Sequence, residues 1–198
     1  MQEQEYIAKI SALMTDGQLS DAQELISKAI SIFPQNGFIC FLKAAIHAQN
    51  QQFEQAKITY AQSLELAPDL HIARFQLGLL QATLEDYDNA INVLHPLLQI
   101  QHEYLPLFAN ALISVFQGNN TNAMISIEEG LKRNNDNPNL NKDMRDMLNR
   151  IKASENIEAK DERNSANLGN EQTSLSEKTE PNMEQDISHL LDIYDVKH

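Results

Sequence analysis

The 198-residue chain has no tryptophan, one cysteine, six glycines and six prolines, and only 6% of its residues are aromatic. A single cysteine excludes a disulfide within the chain. No apolar run approaches the roughly 20 residues that span a bilayer, and the first residues show neither the basic nor the apolar part of a secretion signal. We therefore expect a cytoplasmic protein without membrane insertion.

Positive charge is also scarce, because 15 basic side chains face 28 acidic ones and leave a net charge of −13. Binding to nucleic acid depends on lysine and arginine to displace counterions, so we expect no nucleic-acid partner for this acidic protein. The sequence contains no phosphate-binding glycine loop, nucleophile elbow or HExxH motif. Cys40 occupies an apolar position and is predicted to be a structural thiol. We predict a protein that is not an enzyme and has no cofactor and no metal.

The chain does have an internal repeat. Alanine recurs at a nearly constant interval, at Ala22, Ala56, Ala90 and Ala123. Pro34 and Pro68 are separated by the same interval, as are Phe53 and Tyr87. A period of about 34 residues is typical of helix–turn–helix units that stack into a solenoid, each burying its apolar face against the next.

This pattern resembles the tetratricopeptide repeat (TPR) family over residues 3–152. The resemblance implies an all-α solenoid in which each repeated alanine lies where the two helices of a pair approach most closely. It also implies bulky apolar residues at Lys9 and Lys43, where this chain departs from the family. The predicted units are four repeats and a capping helix, at 3–36, 37–70, 71–103, 104–137 and 138–152. In the capping helix, Leu140, Met144, Leu148 and Ile151 form one apolar stripe.

The resemblance further implies that the first helix of each repeat lines a concave groove. The groove positions are apolar and rich in phenylalanine: Ile7, Phe38, Phe41, Ile72, Phe75, Leu79, Leu105, Phe108 and Leu112. We predict that this surface binds an apolar helix or extended segment of a partner protein. The alternative interpretation is that some of these phenylalanines are core residues between adjacent repeats.

The composition changes after Ser154, and the segment 155–198 carries −7 of the net charge. Residues 155–182 contain no aromatic residue and many Glu, Asn and Ser, which predicts a disordered acidic linker. Residues 183–198 regain a helical pattern, with Ile187, Leu190, Leu191 and Tyr194 on one face. This short amphipathic helix could occupy the groove of its own chain, dock to a second subunit or bind another protein. The alternative is a helix that packs on the convex side of the solenoid or frays in solvent.

These observations favour a non-enzymatic adaptor or chaperone that binds a protein partner in its groove. The alternative is a scaffold subunit of a larger bacterial assembly that docks through its C-terminal helix.

Overall fold

A computed structural model describes residues 1–167, with side chains through residue 155. This part of the chain folds into nine α-helices and one short 3-10 helix, without a strand. The α-helices are α1 Glu3–Thr15, α2 Leu19–Ile32, α3 Gly37–Gln49, α4 Phe53–Leu66, α5 His71–Thr83, α6 Tyr87–Leu94, α7 Leu105–Phe116, α8 Asn120–Arg133 and α9 Pro138–Asn167. Each helix packs on its neighbours in chain order, so the predicted all-α solenoid is confirmed.

The four helix pairs, α1–α2, α3–α4, α5–α6 and α7–α8, are joined by three-residue turns of the same geometry. The middle residue of each turn has a positive φ: 72° at Gly17, 58° at Gln51, 58° at Glu85 and 72° at Gly118. The N–H of the following residue donates to a carbonyl five residues back, as from Gln18 to Leu13 at 2.8 Å. This is the Schellman ending of a helix, which satisfies carbonyls that the helix leaves free.

Two of these turns place a residue other than glycine in the left-handed region, where a Cβ atom is sterically disfavoured. We expect Gln51→Gly and Glu85→Gly each to raise the free energy of unfolding by up to about 1 kcal/mol, because they copy the turns at Gly17 and Gly118. Chemical denaturation of the full chain measures this change. Asn50→Gly is the control, since Asn50 has φ −82° and glycine there only adds freedom to the unfolded chain. Equal changes in the free energy of unfolding for Gln51→Gly and Asn50→Gly would show that the positive φ of Gln51 does not destabilise the turn.

The apolar core forms two clusters that meet along α5. Ala73, Leu77 and Leu80 of α5 belong to the cluster of the first two repeats. Phe75 and Leu79 belong to the cluster formed with α6 to α9. Every residue from Phe75 to Ala82 is buried, so α5 is surrounded by protein on every side along this stretch. The four repeated alanines are fully buried, which lets paired helices approach closely.

Repeat three ends differently from the others, since α6 has only eight residues and continues as a 3-10 helix, His95–Gln99. Pro96 is the cause, because proline lacks the N–H that an α-helix needs and clashes with the preceding turn. A 3-10 helix rises about 2.0 Å per residue against about 1.5 Å in an α-helix. The composite helix from Tyr87 to Gln99 therefore spans roughly 22 Å, about the length of the 14-residue α4.

The fold closes with α9, whose residues Leu140, Met144, Leu148 and Ile151 are all buried against the last repeat. The predicted end of this helix at residue 152 is wrong, because α9 continues to Asn167. The first part of the predicted disordered linker is thus helical. Nucleating a helix is costly but extending one is not, and no glycine or proline interrupts residues 139–167. Residues 168–182 of that linker and the predicted helix 183–198 lie outside the described residues.

Candidate functional site

The three phenylalanines at the centre of the predicted groove lie inside the protein. Phe41, Phe75 and Phe108 expose 1%, 0% and 0% of their surface. The Phe41 ring lies 6.0 Å from the ring of Tyr60 in α4, measured between centroids. Phe108 packs so closely on α8 that a Cβ atom at Gly130 would overlap its ring. These rings fill the space between paired helices, so the prediction that they form an exposed floor is wrong.

Four further residues of the predicted groove are buried as well: Ile7, Leu79, Leu105 and Leu112. These residues are buried because neighbouring helices pack closely around the first helices. In α5, for example, no residue from Phe75 to Ala82 is accessible to a partner. The alternative interpretation, in which the phenylalanines belong to the core, is the one the structure favours.

Two predicted groove residues remain partly accessible, namely Phe38 and Ile72. They occupy equivalent positions in consecutive repeats, each in the first turn of a first helix. The Phe38 ring packs on Phe41 with 5.3 Å between ring centroids. Within the predicted groove, the accessible apolar surface therefore lies at the N-terminal ends of the first helices. Outside the groove, the described residues also expose large apolar side chains, namely Met1, Ile32, Ile58, Leu66 and Ile125.

Tyr104 extends this surface into repeat four, and the sequence analysis missed it. Its half-buried ring packs on Phe108 at 5.6 Å between centroids, much as Phe38 packs on Phe41. The residue predicted from the sequence at this end of α7 is Leu105, which is buried. The 33-residue step from Ala90 to Ala123 leads from Ile72 to Leu105 and not to Tyr104, which precedes α7 as its N-cap residue. We call Phe38, Ile72 and Tyr104 the apolar rim.

The start of α7 is held by His102, whose Nδ1 accepts hydrogen bonds from the backbone N–H groups of Tyr104 and Leu105, each at 3.4 Å. Burial, with a smaller contribution from His71, lowers the pKa of His102, which favours the neutral imidazole that can accept these bonds. Burial also raises the pKa of the Tyr104 phenol, with Asp136 and Glu103 adding to the effect. The rim therefore presents a neutral tyrosine at neutral pH.

Cys40 is half-buried on α3, and its thiol donates a hydrogen bond to the carbonyl of Thr59 at 3.4 Å. Burial raises the pKa of this thiol, and the opposing effect of Lys43 is smaller. The protonated form is therefore favoured, whereas a nucleophilic cysteine requires a lowered pKa.

Several side chains of the first helices bury polar atoms that have no hydrogen-bond partner within the described part of the chain. They belong to Ser11, Gln49, Gln76 and Gln81. Gln76 is fully buried and leaves both its oxygen and its nitrogen unpaired, whereas Leu42 occupies the equivalent buried position one repeat earlier. Such groups cost stability.

Among the residues whose side chains are described, no three His, Cys, Asp or Glu are arranged to hold a metal ion. None of the described helices is long and apolar enough to cross a membrane. The predicted docking residues Ile187, Leu190, Leu191 and Tyr194 lie outside the described part of the chain.

Comparison with known proteins agrees with the repeat geometry. Residues 13–82 match the model of the family described as "Tetratricopeptide repeat". A solved structure titled "MamA RS-1 ArsTM double mutant" has a similar fold, with a TM-score of 0.57 and 11% identity over 83% of this chain and 89% of that chain. No curated protein matches the sequence. Together with the four helix pairs and their equivalent turns, these findings show that residues 13–82 carry tetratricopeptide repeats and that the described part of the chain has the fold of a tetratricopeptide repeat solenoid.

Proposed function

We propose that this protein is an adaptor or chaperone that binds an apolar helix or extended segment of a partner protein at its apolar rim. Proteins of this family generally mediate protein–protein contacts and are typically non-enzymatic scaffolds. The observation that carries the proposal is the recurrence of Phe38 and Ile72 at equivalent, partly accessible positions in two consecutive repeats. Tyr104, partly accessible directly before α7, adds an apolar ring near the same end of the next first helix.

The accessible area limits how tightly the rim alone can bind. Complete burial of a large apolar side chain contributes about 1.5–3 kcal/mol. Each rim side chain is already about two-thirds buried or more, so covering all three contributes at most roughly 1.5–3 kcal/mol in total. A micromolar complex needs about 8 kcal/mol. The partner is therefore expected to extend beyond the rim, over the polar surface beside it.

Removal of the rim side chains should release the partner. We expect the double variant Phe38→Ala/Tyr104→Ala to lower recovery of the partner at least tenfold in affinity purification from the source cells, with bound proteins identified by mass spectrometry. Ile58→Ala is the control, because Ile58 is 56% exposed on α4 and outside the rim. Thermal unfolding of each variant checks that the fold is retained.

Full recovery of the partner by a folded rim variant would overturn the proposal. If the partner were instead lost only when residues 183–198 are deleted, the scaffold that docks through its C-terminal segment would be the better description.

A further inference from the structure

A cleft of about 260 Å³ opens between α2 and α3, away from the apolar rim. Its floor is apolar and consists of Ile26, Ile30 and Ile46. Lys43 and His47 stand at its edge, together with two neutral polar side chains of α2. None of the described residues that line the cleft is acidic. The cleft therefore joins an apolar floor to a positive charge, in a chain whose net charge is −13.

The next repeat shows why the cleft exists. Leu77 occupies the position of Lys43 one repeat later and is buried between α5 and its neighbours. Gln81 occupies the position of His47 and is also buried. In α3 the side chain of Lys43 is instead exposed to solvent, and His47 Nδ1 forms a hydrogen bond with Oε1 of Gln52 at 2.6 Å. The two polar residues therefore leave open a space that the following junction fills with Leu77.

This combination suits a particular ligand chemistry. The floor can accept one or two leucine-sized side chains, and Lys43 can pair with a carboxylate next to them. Residues 183–198 have this composition, with Leu190 and Leu191 followed directly by Asp192. That segment carries four acidic side chains and one basic side chain, and its apolar residues recur at helical spacing.

The chain is long enough to bring the segment to the cleft. Residues 168–182 can span at most about 50 Å when extended. From α9 back to α2 the stack measures on the order of 30 Å, because packed helices are separated by about 8–10 Å. Asn167, the last helical residue, lies at most about 24 Å beyond Ile151 along α9, so the distance to the cleft is roughly 30–50 Å. We propose that the C-terminal segment 183–198 docks in the α2–α3 cleft of its own chain, with leucine on the isoleucine floor and a carboxylate beside Lys43. This proposal is independent of the partner bound at the apolar rim.

Disulfide cross-linking of the full chain tests the docking directly. In a Cys40→Ser background, Ser27→Cys places a thiol at the cleft, which Ser27 lines, and Ser188→Cys places one in the segment. Mild oxidation should give an intramolecular disulfide, identified by mass spectrometry of the digested protein. Ser20→Cys with Ser188→Cys is the matched control, because Ser20 is exposed on the same helix and does not line the cleft. We expect at least fivefold faster cross-linking at position 27 than at position 20.

Two variants at Lys43 show whether the disulfide between positions 27 and 188 forms because the segment docks in the cleft or because of random encounters. Lys43→Glu should slow the cross-link two- to fivefold by charge repulsion. Lys43→Leu should fill the cleft as Leu77 fills the next junction, and should slow the cross-link without lowering thermal stability. Equal rates at positions 20 and 27, or rates at position 27 that neither variant changes, would overturn the proposal. A covalent dimer in place of the intramolecular product would overturn docking within one chain.

Discussion

Phe108→Ala is expected to lower the free energy of unfolding by about 3–5 kcal/mol. The Phe108 ring is fully buried between α7 and α8 and touches the backbone at Gly130. Alanine would leave a cavity there, and the surrounding helices would relax into it only in part. Chemical denaturation followed by circular dichroism measures the loss.

Phe38→Ala is the matched control, since the same substitution removes a half-buried ring at the apolar rim. We expect it to cost less than half as much stability. A Phe108→Ala protein of unchanged stability that has lost its partner would contradict the structure and restore the predicted phenylalanine floor.

The second large effect is expected at the junction of α8 and α9, which is built from buried asparagines. Asn134 Oδ1 accepts hydrogen bonds from the N–H groups of Asp136 and Asn137 at 3.2 and 3.0 Å. Its Nδ2 donates to the carbonyl of Asn137 at 3.1 Å. Asn134→Ala would leave the buried N–H and carbonyl of Asn137 without these partners, so we expect a loss of about 2–3 kcal/mol.

Asn135→Ala is the control for this junction, because Asn135 is exposed and its one hydrogen bond, to the carbonyl of Arg133, is long at 3.4 Å. Its effect should stay within about 0.5 kcal/mol. Thermal and chemical unfolding of both variants measure the difference. Equal stabilities would show that water replaces the asparagine side chain at no cost.

Much of the fold could be predicted from the sequence because the relevant signals are local or periodic. Each helix pair is marked by a small residue that recurs every 33 or 34 residues, and all four of these alanines are fully buried: Ala22, Ala56, Ala90 and Ala123. The stripe from Leu140 to Ile151 specifies one buried face of α9 by its spacing alone. Such patterns depend on the helix period and need no knowledge of how the helices are tilted.

The candidate site was harder to predict because accessibility depends on the distance between neighbouring helices. Phe41 and Phe38 are the same residue type on the same helix. Phe41 is buried against Tyr60, whereas Phe38 remains partly accessible to solvent. Tyr104 could not be found from the repeat because it lies just before α7, one position before the residue that the repeat spacing selects, Leu105. The extension of α9 past residue 152 could not be predicted from composition. Composition indicates whether a segment can bury an apolar core, but a helix that is already nucleated by a packed segment can be extended without one.

The burial of α5 on all sides has a consequence for how the protein can be divided. A fragment that ends before residue 71 would expose the surface that Leu77 and Leu80 cover, and one that begins after residue 83 would expose the surface that Phe75 and Leu79 cover. Neither half is expected to be an autonomous folding unit. Amide hydrogens in the middle of α5 should accordingly exchange only when the entire array opens.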